Sequence, residues 1–305
     1  MNSHTSPKLK LHKSGPNFSK IALGFWRLHE WDLNRARLTE YIEGALVLGV
    51  TTFDHADIYG SYGNEERFGK VLKENPDLRN KMELVSKCGI CLTTDNRPHH
   101  IVQHYNTTSK YIRDSVERSL RNLGTDYLDL ILIHRPDPLM DAGEIADIFS
   151  LLIEEEKILH VGVSNFTTSQ FDLLQSKMDP PLVTNQVECS LLHLDPIYDG
   201  TFDQAQINNY SPMIWSPFAG GDLFTGKSQR AVKVREVCQK LSQKYKTTID
   251  QIALAWLFYL PCNVQAIAGT GKLDRLRSAV ESTSIQLDRQ DWYRLLEASN
   301  GHPVP

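Results

Sequence analysis

Long apolar runs, blocks of a single charge and paired cysteine motifs are all scarce in this sequence of 305 residues. The longest apolar run, residues 252–260, reaches about half of the ~20 residues that a membrane-spanning helix needs. Residues 1–7 lack the apolar core of a signal peptide. The net charge is −4 with no basic block, so we expect neither nucleic acid nor an anionic membrane as a partner. Hydrophobic residues make up 41% and charged residues 23%, which is typical of a globular protein with a buried core.

Cysteine is scarce as well, and the odd number of five at scattered positions argues against a disulfide framework. We therefore expect reduced thiols and a cytoplasmic protein. Cys88 and Cys91 have the spacing of a redox pair, or of half a metal site that His99 and His100 could complete. A structural zinc site usually takes its four ligands from two such pairs, and the sequence has no second pair. The absence of a second pair thus favours two reduced thiols at a strand end and no metal site.

Apolar, β-branched runs recur along the chain at fairly even intervals. Continuous apolar runs are typical of strands that are buried on both faces of a parallel sheet. The eight runs are residues 21–26, 51–54, 84–87, 128–134, 160–164, 182–187, 213–216 and 264–268. Helix-like segments lie between and after them, at residues 35–48, 65–72, 108–123, 141–155, 168–175, 204–208, 230–245 and 273–281. Eight strand–helix units in roughly 250 residues or slightly more predict an α/β fold, the (β/α)8 or TIM barrel.

Three segments fall outside the eight units. Residues 8–12 alternate polar and apolar side chains and run into a turn at residues 14–17, which predicts an N-terminal β-hairpin at the bottom of the barrel. Residues 249–260, stopped by Pro261, and residues 288–298 predict two extra helices. No linker interrupts the chain, so we expect a single domain over residues 1–305. The alternative is an open doubly wound sheet, which would be expected to carry GxGxxG after its first strand, where this chain has Leu-Gly-Phe-Trp-Arg.

Four polar residues stand at or just beyond the ends of predicted strands: Asp54, Tyr59, Lys87 and His134. They come from the second, third and fourth strands, which are neighbours in a parallel barrel, and TIM-barrel active sites lie at the carboxyl ends of the strands. A phenol is a poor acid at neutral pH, but a cationic Lys87 would lower the pKa of Tyr59, with Asp54 holding the ammonium in place. His134 could donate a hydrogen bond to a carbonyl oxygen. The pattern predicts a proton-donating site with Tyr59 as the general acid.

The motifs around these residues resemble the aldo-keto reductases, in particular their bacterial general oxidoreductase branch. Five motifs carry the resemblance, in order: Phe-Asp-His-Ala-Asp-Ile-Tyr-Gly at 53–60, Val-Ser-Lys at 85–87, Leu-Ile-His-Arg-Pro-Asp at 132–137, Val-Gly-Val-Ser-Asn-Phe at 161–166 and Asn-Gln-Val-Glu at 185–188. The resemblance implies hydride transfer from a nicotinamide to a carbonyl group of a small molecule, with protonation by Tyr59. It also implies that Ser164, Asn165 and Gln186 hold the carboxamide and that Trp215 stacks on the nicotinamide ring.

Two further segments resemble the parts of this family that bind the phosphates of the cofactor. One segment looks like the family's pyrophosphate loop and the residues just before it. There the resemblance assigns cofactor binding to Ser216, Pro217, Ala219, Gly220 and Leu223. The segment that looks like the adenosine 2′-phosphate site contributes Thr270, Gly271, Lys272 and Arg275. The second segment favours NADP(H) over NAD. This chain departs from the family at Gly269, where members often carry lysine, and at Ser278 and Ala279, where a Glu-Asn pair is common.

Two other functions stay open on the sequence. A nicotinamide-binding sensor or accessory protein on the same fold would keep these motifs and show little turnover. A metal-dependent barrel hydrolase could use Asp54, His55, Asp57 and His134, although a His-x-His pair on the first strand is absent. Trp26 and Trp31 are candidates for the wall of a substrate pocket, with core packing as the alternative. No segment selects one carbonyl substrate or one oligomeric state.

Overall fold

A computed structural model describes residues 4–305 and shows eight parallel strands that close into a barrel. The strands, labelled β1 to β8 in chain order, are Ile21–Gly24, Thr52–Asp54, Glu83–Cys88, Leu130–Ile133, Val161–Ser164, Leu182–Glu188, Met213–Trp215 and Gln265–Ala268. Each strand pairs with the next one in the sequence, and β8 pairs with β1 to close the barrel. The predicted (β/α)8 barrel is confirmed, and the ends of the predicted strands lie within two residues of the observed ones.

Helices connect the strands on the outside of the barrel. Their bounds are Arg35–Val47, Asn64–Glu74, Ser109–Leu123, Ala142–Glu154, Thr168–Gln175, Thr201–Asn208, Gln229–Tyr245 and Leu273–Glu281, with short turns at Leu28–Glu30, Tyr59–Tyr62, Pro76–Lys81, Asp195–Tyr198, Ala219–Gly221, Asp222–Thr225 and Ser282–Ser284. The side chains of Asn34, Thr108, Asp141, Thr167 and Ser228 accept hydrogen bonds from first-turn N–H groups. Such N-caps contribute about 1 kcal/mol each. In residues 4–305 no helix is long and apolar enough to cross a membrane.

The three additional segments form as expected. Strands Lys8–Lys10 and Asn17–Ser19 pair as an antiparallel hairpin. Leu11 and Phe18 are fully buried in the cluster that fills the barrel interior, so the hairpin closes the barrel at the amino ends of its strands. Helices Ile249–Phe258 and Arg289–Asn300 both pack against Gln229–Tyr245. A second hairpin, Ile90–Cys91 with His104–Tyr105, lies in the loop after β3 and was not predicted.

Candidate active site

Alternation along β2 and β3 sends neighbouring side chains into two different environments. Phe53 and Leu84 belong to the core between the barrel and its helices. Val85 belongs to a separate cluster inside the barrel. Side chains alternate along a strand, so Asp54 lies on the inner face, opposite to Phe53, and Lys87 shares the inner face with Val85. Both side chains therefore enter the barrel at its carboxyl end.

Lys87 is the centre of the site. Its side chain is fully buried, and Nζ donates hydrogen bonds to Asp54 Oδ2 at 2.8 Å, to the His55 carbonyl oxygen at 2.7 Å and to the Tyr59 hydroxyl at 3.1 Å. Asp54 Oδ1 accepts a further hydrogen bond from Gln186 Nε2 at 2.9 Å. A buried ammonium needs such partners, because an isolated charge loses its hydration without compensation. The structure thus brings Asp54, Tyr59 and Lys87 together, while their catalytic roles stay predictions.

Opposing effects set the charge states of this group. Burial alone would lower the pKa of Lys87, but Asp54 and Tyr59 outweigh it and raise that pKa, so Lys87 is a cation at neutral pH. Burial raises the pKa of Tyr59 above its usual value, and Lys87 offsets only part of that rise. The expectation that Lys87 would bring the pKa of Tyr59 down overall was wrong, because desolvation of the phenolate outweighs the neighbouring ammonium. Tyr59 therefore carries its proton at neutral pH.

His134 lies opposite Tyr59, with ring centroids 5.8 Å apart and planes at 76°. The imidazole is buried, and its Nδ1 has no hydrogen-bond partner in the described part of the chain. Burial, together with the positive charges of Lys87 and Arg135, holds the pKa of His134 well below its usual value. A neutral imidazole keeps one N–H and can donate a hydrogen bond to a carbonyl oxygen. All four strand-end residues thus share one rim.

A chain of hydrogen bonds continues from this rim across β5, β6 and β7. Ser164 Oγ donates to the Gln186 carbonyl oxygen at 2.9 Å, and Asn165 Nδ2 donates to Ser164 Oγ at 2.7 Å. Trp215 Nε1 donates to Asn165 Oδ1 at 3.0 Å, which fixes the half-buried indole beside the rim. The four residues that the family resemblance assigns to the nicotinamide are therefore neighbours, and their binding role stays a prediction.

The loop after β7 exposes its backbone to open space. Positive φ angles occur at Ser216 (50°), Ala219 (50°), Gly220 (65°) and Gly221 (114°). A Cβ atom added to Gly220 or Gly221 would meet nothing within 4 Å. Pro217 and Leu223 are buried and anchor the loop on either side. Such an open, glycine-containing turn allows the main chain to approach a phosphate closely.

The loop after β8 leads into the N-terminus of the helix Leu273–Glu281. Lys272 and Arg275 are exposed there, and neither forms an ion pair within residues 4–305. Thr270 Oγ1 accepts a hydrogen bond from the Lys272 N–H at 3.2 Å, whereas Asp274 Oδ1 accepts from the Arg275 N–H at 2.9 Å. Two free cations beside a helix N-terminus make a favourable place for an anion.

The two tryptophans predicted for a pocket wall have different surroundings. Trp26 follows β1 and is 57% exposed, with the Arg27 guanidinium carbon 5.1 Å from its ring. Trp31 packs against Phe25 with ring centroids 5.5 Å apart. Trp31 also covers Gly271, where an added Cβ would lie 2.8 Å from the indole. Trp31 therefore fills the space between the loops after β1 and β8, and packing is the better supported role for it, while Trp26 is free to face a substrate.

Several neighbouring polar residues do not join the site. The His55 ring is stacked on Phe25 at 4.6 Å and meets Phe68 edge-on at 4.5 Å, in the core outside the barrel. Cys88 and Cys91 are buried free thiols. Residues 4–305 contain no group of three or more His, Cys, Asp or Glu side chains that could hold a metal ion. The residues of the hydrolase alternative are therefore not gathered into one ligand set.

Arg135 belongs to the site and was not singled out as a site residue from the sequence. It directly follows His134, is half-buried, and has its guanidinium carbon 5.6 Å from the centre of the Trp215 ring. Its charge contributes to the lowered pKa of His134. Within the part of the chain that the structure describes, its side chain has no hydrogen-bond or ion-pair partner. The strand-end position that pointed to His134 applies equally to its neighbour.

Comparisons with known proteins agree with this architecture. The sequence profile of the Aldo/keto reductase family matches residues 20–300. The oxidoreductase YdhF of Escherichia coli (strain K12) is 45% identical over 298 residues, which cover 98% of this chain and 99% of that protein. The 6-dehydroglucose reductase of Agrobacterium fabrum is 41% identical over 287 residues, covering 94% and 96%. The crystal structure of the thermostable aldo-keto reductase Tm1743, in complex with the inhibitor epalrestat, matches with a TM-score of 0.81 at 28% identity, covering 96% of this chain and 99% of that one. Because the profile spans most of the chain and these relatives almost all of it, the protein belongs to the aldo/keto reductase family and is an oxidoreductase of that family.

Proposed function

We propose that this oxidoreductase uses NADPH to reduce an aldehyde or a ketone to an alcohol, with Tyr59 as the general acid. One observation carries the proposal. The fully buried Lys87 ammonium lies 3.1 Å from the Tyr59 hydroxyl and 2.8 Å from Asp54 Oδ2. A buried cation held against a phenol stabilises the phenolate that remains after the proton has left.

The chain's own residues can supply the proton and stabilise the charge that develops. Tyr59 is protonated at neutral pH, since burial raises its pKa further above a usual value that is already well above 7. An alkoxide is a much stronger base than a phenolate, so transfer of the Tyr59 proton to the substrate oxygen is favourable even with this raised pKa. The neutral His134 can donate its N–H to the same oxygen. Bound nicotinamide would supply the hydride to the carbonyl carbon.

Two features of the structure fit a phosphorylated dinucleotide. Open space lies in front of Gly220 and Gly221, where the main chain can approach a pyrophosphate. Lys272 and Arg275 stand exposed at a helix N-terminus without ion-pair partners in residues 4–305. A 2′-phosphate would occupy such a cationic position, and NADH has no group to place there. These features support NADPH as the preferred cofactor.

A small polar aldehyde is the substrate class that the rim supports best. Arg135 offers guanidinium donors beside His134 and Trp215 without a partner in the described chain. Such donors suit hydroxyl or carboxylate oxygens of a substrate. The A. fabrum relative is named a 6-dehydroglucose reductase, and a dehydroglucose combines a carbonyl with several hydroxyl groups. We place the protein in the cytosol, where its five free, buried thiols would stay reduced, and treat its barrel and flanking helices as one domain.

The test begins with tryptophan fluorescence of the purified protein during titration with NADPH and with NADH. Absorbance at a wavelength specific for the reduced cofactor is then followed with glyceraldehyde and with benzaldehyde. We expect tighter binding of NADPH, oxidation of the cofactor by both aldehydes, and a higher kcat/KM for glyceraldehyde. Binding without any turnover over a wide aldehyde panel would contradict the reductase proposal and favour a sensor. Binding of neither nucleotide would contradict both.

Tyr59→Phe tests the acid directly. We expect kcat to fall by about 100-fold or more, with NADPH affinity unchanged, because the ring stays and the proton donor is lost. Tyr293→Phe, on the outer helix Arg289–Asn300, is the matched control and should behave like the parent protein. Near-full turnover in Tyr59→Phe would refute the assignment of Tyr59.

A further inference from the structure

The backbone directly after Tyr59 runs through a left-handed turn. Gly60, Ser61 and Tyr62 have φ angles of 56°, 53° and 70° in succession. Residues with a Cβ atom seldom adopt this conformation, because Cβ comes too close to the following carbonyl oxygen. Ser61 and Tyr62 both carry that unfavourable geometry. Such a segment persists only where its surroundings hold it in place.

One side of the turn is held by Asn64. Its Nδ2 donates to the carbonyl oxygens of Phe25 at 2.9 Å and Trp26 at 3.1 Å, which ties the turn to the loop after β1. Its Oδ1 lies where a Cβ on Gly60 would come within 2.1 Å. Only glycine fits between the turn and this buried amide.

The other side is held by the loop after β3, through three contacts that we call the clasp. Asn96 Nδ2 donates to the Ser61 carbonyl oxygen at 2.7 Å, and the Leu92 N–H donates to the Tyr62 hydroxyl at 2.9 Å. The Arg97 guanidinium carbon lies 4.2 Å from the centre of the Tyr62 ring. This cation–π contact and the burial of the Tyr62 ring together fix the orientation of the side chain. The clasp thus joins the loop after β3 to the strained residues that follow Tyr59.

The phenol is held at its far end by Lys87, and its ring lies edge-on to His134 with ring centroids 5.8 Å apart. In residues 4–305 the Tyr59 hydroxyl has a single hydrogen-bond partner, Lys87 Nζ at 3.1 Å. That contact restrains only the distal end of the side chain. The direction in which the ring leaves the backbone is set by the turn, which is closed by the Gly63 N–H donating to the Tyr59 carbonyl oxygen at 3.2 Å. A change in the turn therefore moves the phenol relative to Lys87 and His134.

We propose that Tyr62, Asn96 and Arg97 are positioning residues for Tyr59: they hold the left-handed turn that aims the phenol at the reacting oxygen. This inference rests on the proposed function, in which Tyr59 is the acid. No hydrogen bond, ion pair or cation–π contact joins these three side chains to Lys87, Asp54 or His134 in the described structure, so we infer that they act through the backbone of the turn. Displacement of a reacting group by about 1 Å can cost about 100-fold in rate, so a partial release has a measurable effect.

The experiment compares Tyr62→Phe, Asn96→Ala and Arg97→Ala in the full-length protein, with Arg97→Lys as the conservative variant. Arg289→Ala is the control, because Arg289 also lies over a tyrosine ring, at 5.8 Å from Tyr293, but on the outer C-terminal helix. For each variant, kcat and KM for glyceraldehyde, NADPH affinity, thermal stability and amide hydrogen exchange over residues 59–63 are measured. We expect kcat to fall by roughly 10-fold in Arg97→Ala, with unchanged NADPH affinity and faster exchange over residues 59–63. We also expect a larger solvent deuterium isotope effect on kcat, since proton transfer becomes slower. Arg97→Lys should restore most of the rate.

Two outcomes would overturn the inference. In one, exchange over residues 59–63 becomes faster in the three clasp variants while kcat stays at the parent value, so the turn does not position the acid. In the other, kcat, NADPH affinity and thermal stability all fall together and Arg97→Lys restores none of them, so the clasp serves only folding. Failure of the proposed function has a different signature, because Tyr59→Phe would then be as active as the parent protein. The positioning role would fall with it.

Discussion

Asp54→Asn removes one charge of the buried pair at the centre of the site and leaves its shape almost unchanged. Asp54 Oδ2 lies 2.8 Å from Lys87 Nζ, and the two side chains are 4% and 0% exposed. At that distance and an effective dielectric constant of about 20, the attraction is about 6 kcal/mol. Lys87 keeps two other acceptors, the His55 carbonyl oxygen and the Tyr59 hydroxyl, which limit the loss. We expect the free energy of unfolding of the variant to be lower by about 3–5 kcal/mol, as is typical when one partner of a buried pair is removed.

The pH dependence of this loss distinguishes electrostatics from a packing defect. In the parent protein the pKa of Lys87 is raised, so its contribution to stability is fully present below the pKa of the unfolded lysine and does not change between pH 7 and 10. Burial is the largest effect that remains once Asp54 is removed, so we expect the pKa of Lys87 in the variant to fall below that of the unfolded chain. When the pKa of a lysine is lower in the folded than in the unfolded state, the protein becomes less stable as the pH falls. The free energy of unfolding of the variant should therefore increase from pH 7 to pH 10.

Urea unfolding at pH 7 and at pH 10 measures both quantities. The gap in the unfolding midpoint between the parent and Asp54→Asn should be large at pH 7 and smaller at pH 10. Asp114→Asn is the matched control, because Lys110 and Asp114 lie 2.7 Å apart but at an exposed position, where the pair contributes little. A gap of the same size at both pH values, or an equal loss in Asp114→Asn, would refute the electrostatic account.

Two other predictions concern stability and cofactor choice. Burial, with a smaller effect of Glu65, raises the pKa of Asp57 from 3.8 to about 8. The contribution of this carboxyl group to stability is therefore fully present at low pH. The free energy of unfolding falls by at most about 6 kcal/mol as the pH rises from about 4 through 8. Asp57→Asn should flatten the decline of the unfolding free energy over that range, and an unchanged slope in urea unfolding would show that Asp57 does not cause it. Arg275→Ala should raise the Kd for NADPH by roughly 10-fold and leave the Kd for NADH unchanged, as measured by fluorescence titration. An equal loss for both nucleotides would contradict the 2′-phosphate assignment.

Much of the rim that carries the candidate site could be predicted from short-range patterns. The eight apolar runs gave strand boundaries to within two residues, and right-handed crossover connections then leave few ways to arrange the strands. Asp54, Lys87 and His134 could be placed at one rim because each ends a strand on the second, third or fourth unit. The hairpin at residues 8–19 and the two extra helices were also predictable, since turn chemistry and apolar periodicity are local properties.

The sign of the Tyr59 pKa shift could not be predicted in the same way. The charge of Lys87 is evident from the sequence, but the depth of burial around the phenol depends on how the surrounding loops pack. Burial proved to be the larger effect, and it raised the pKa that Lys87 alone would have lowered. Arg135 was missed for a related reason, because its position over Trp215 joins the loop after β4 to the end of β7.

The sequence by itself determined the barrel, the order of its strands and the residues that end them, because periodicity, turn residues and strand alternation act over a few positions. Only the tertiary structure decided which of those residues touch. Gln186 donates to Asp54 across 132 positions of sequence, and Asn96 holds the strained turn after Tyr59 from the next loop. Such contacts, and the desolvation that sets the charge of the site, depend on the packing of distant segments, which no local pattern encodes.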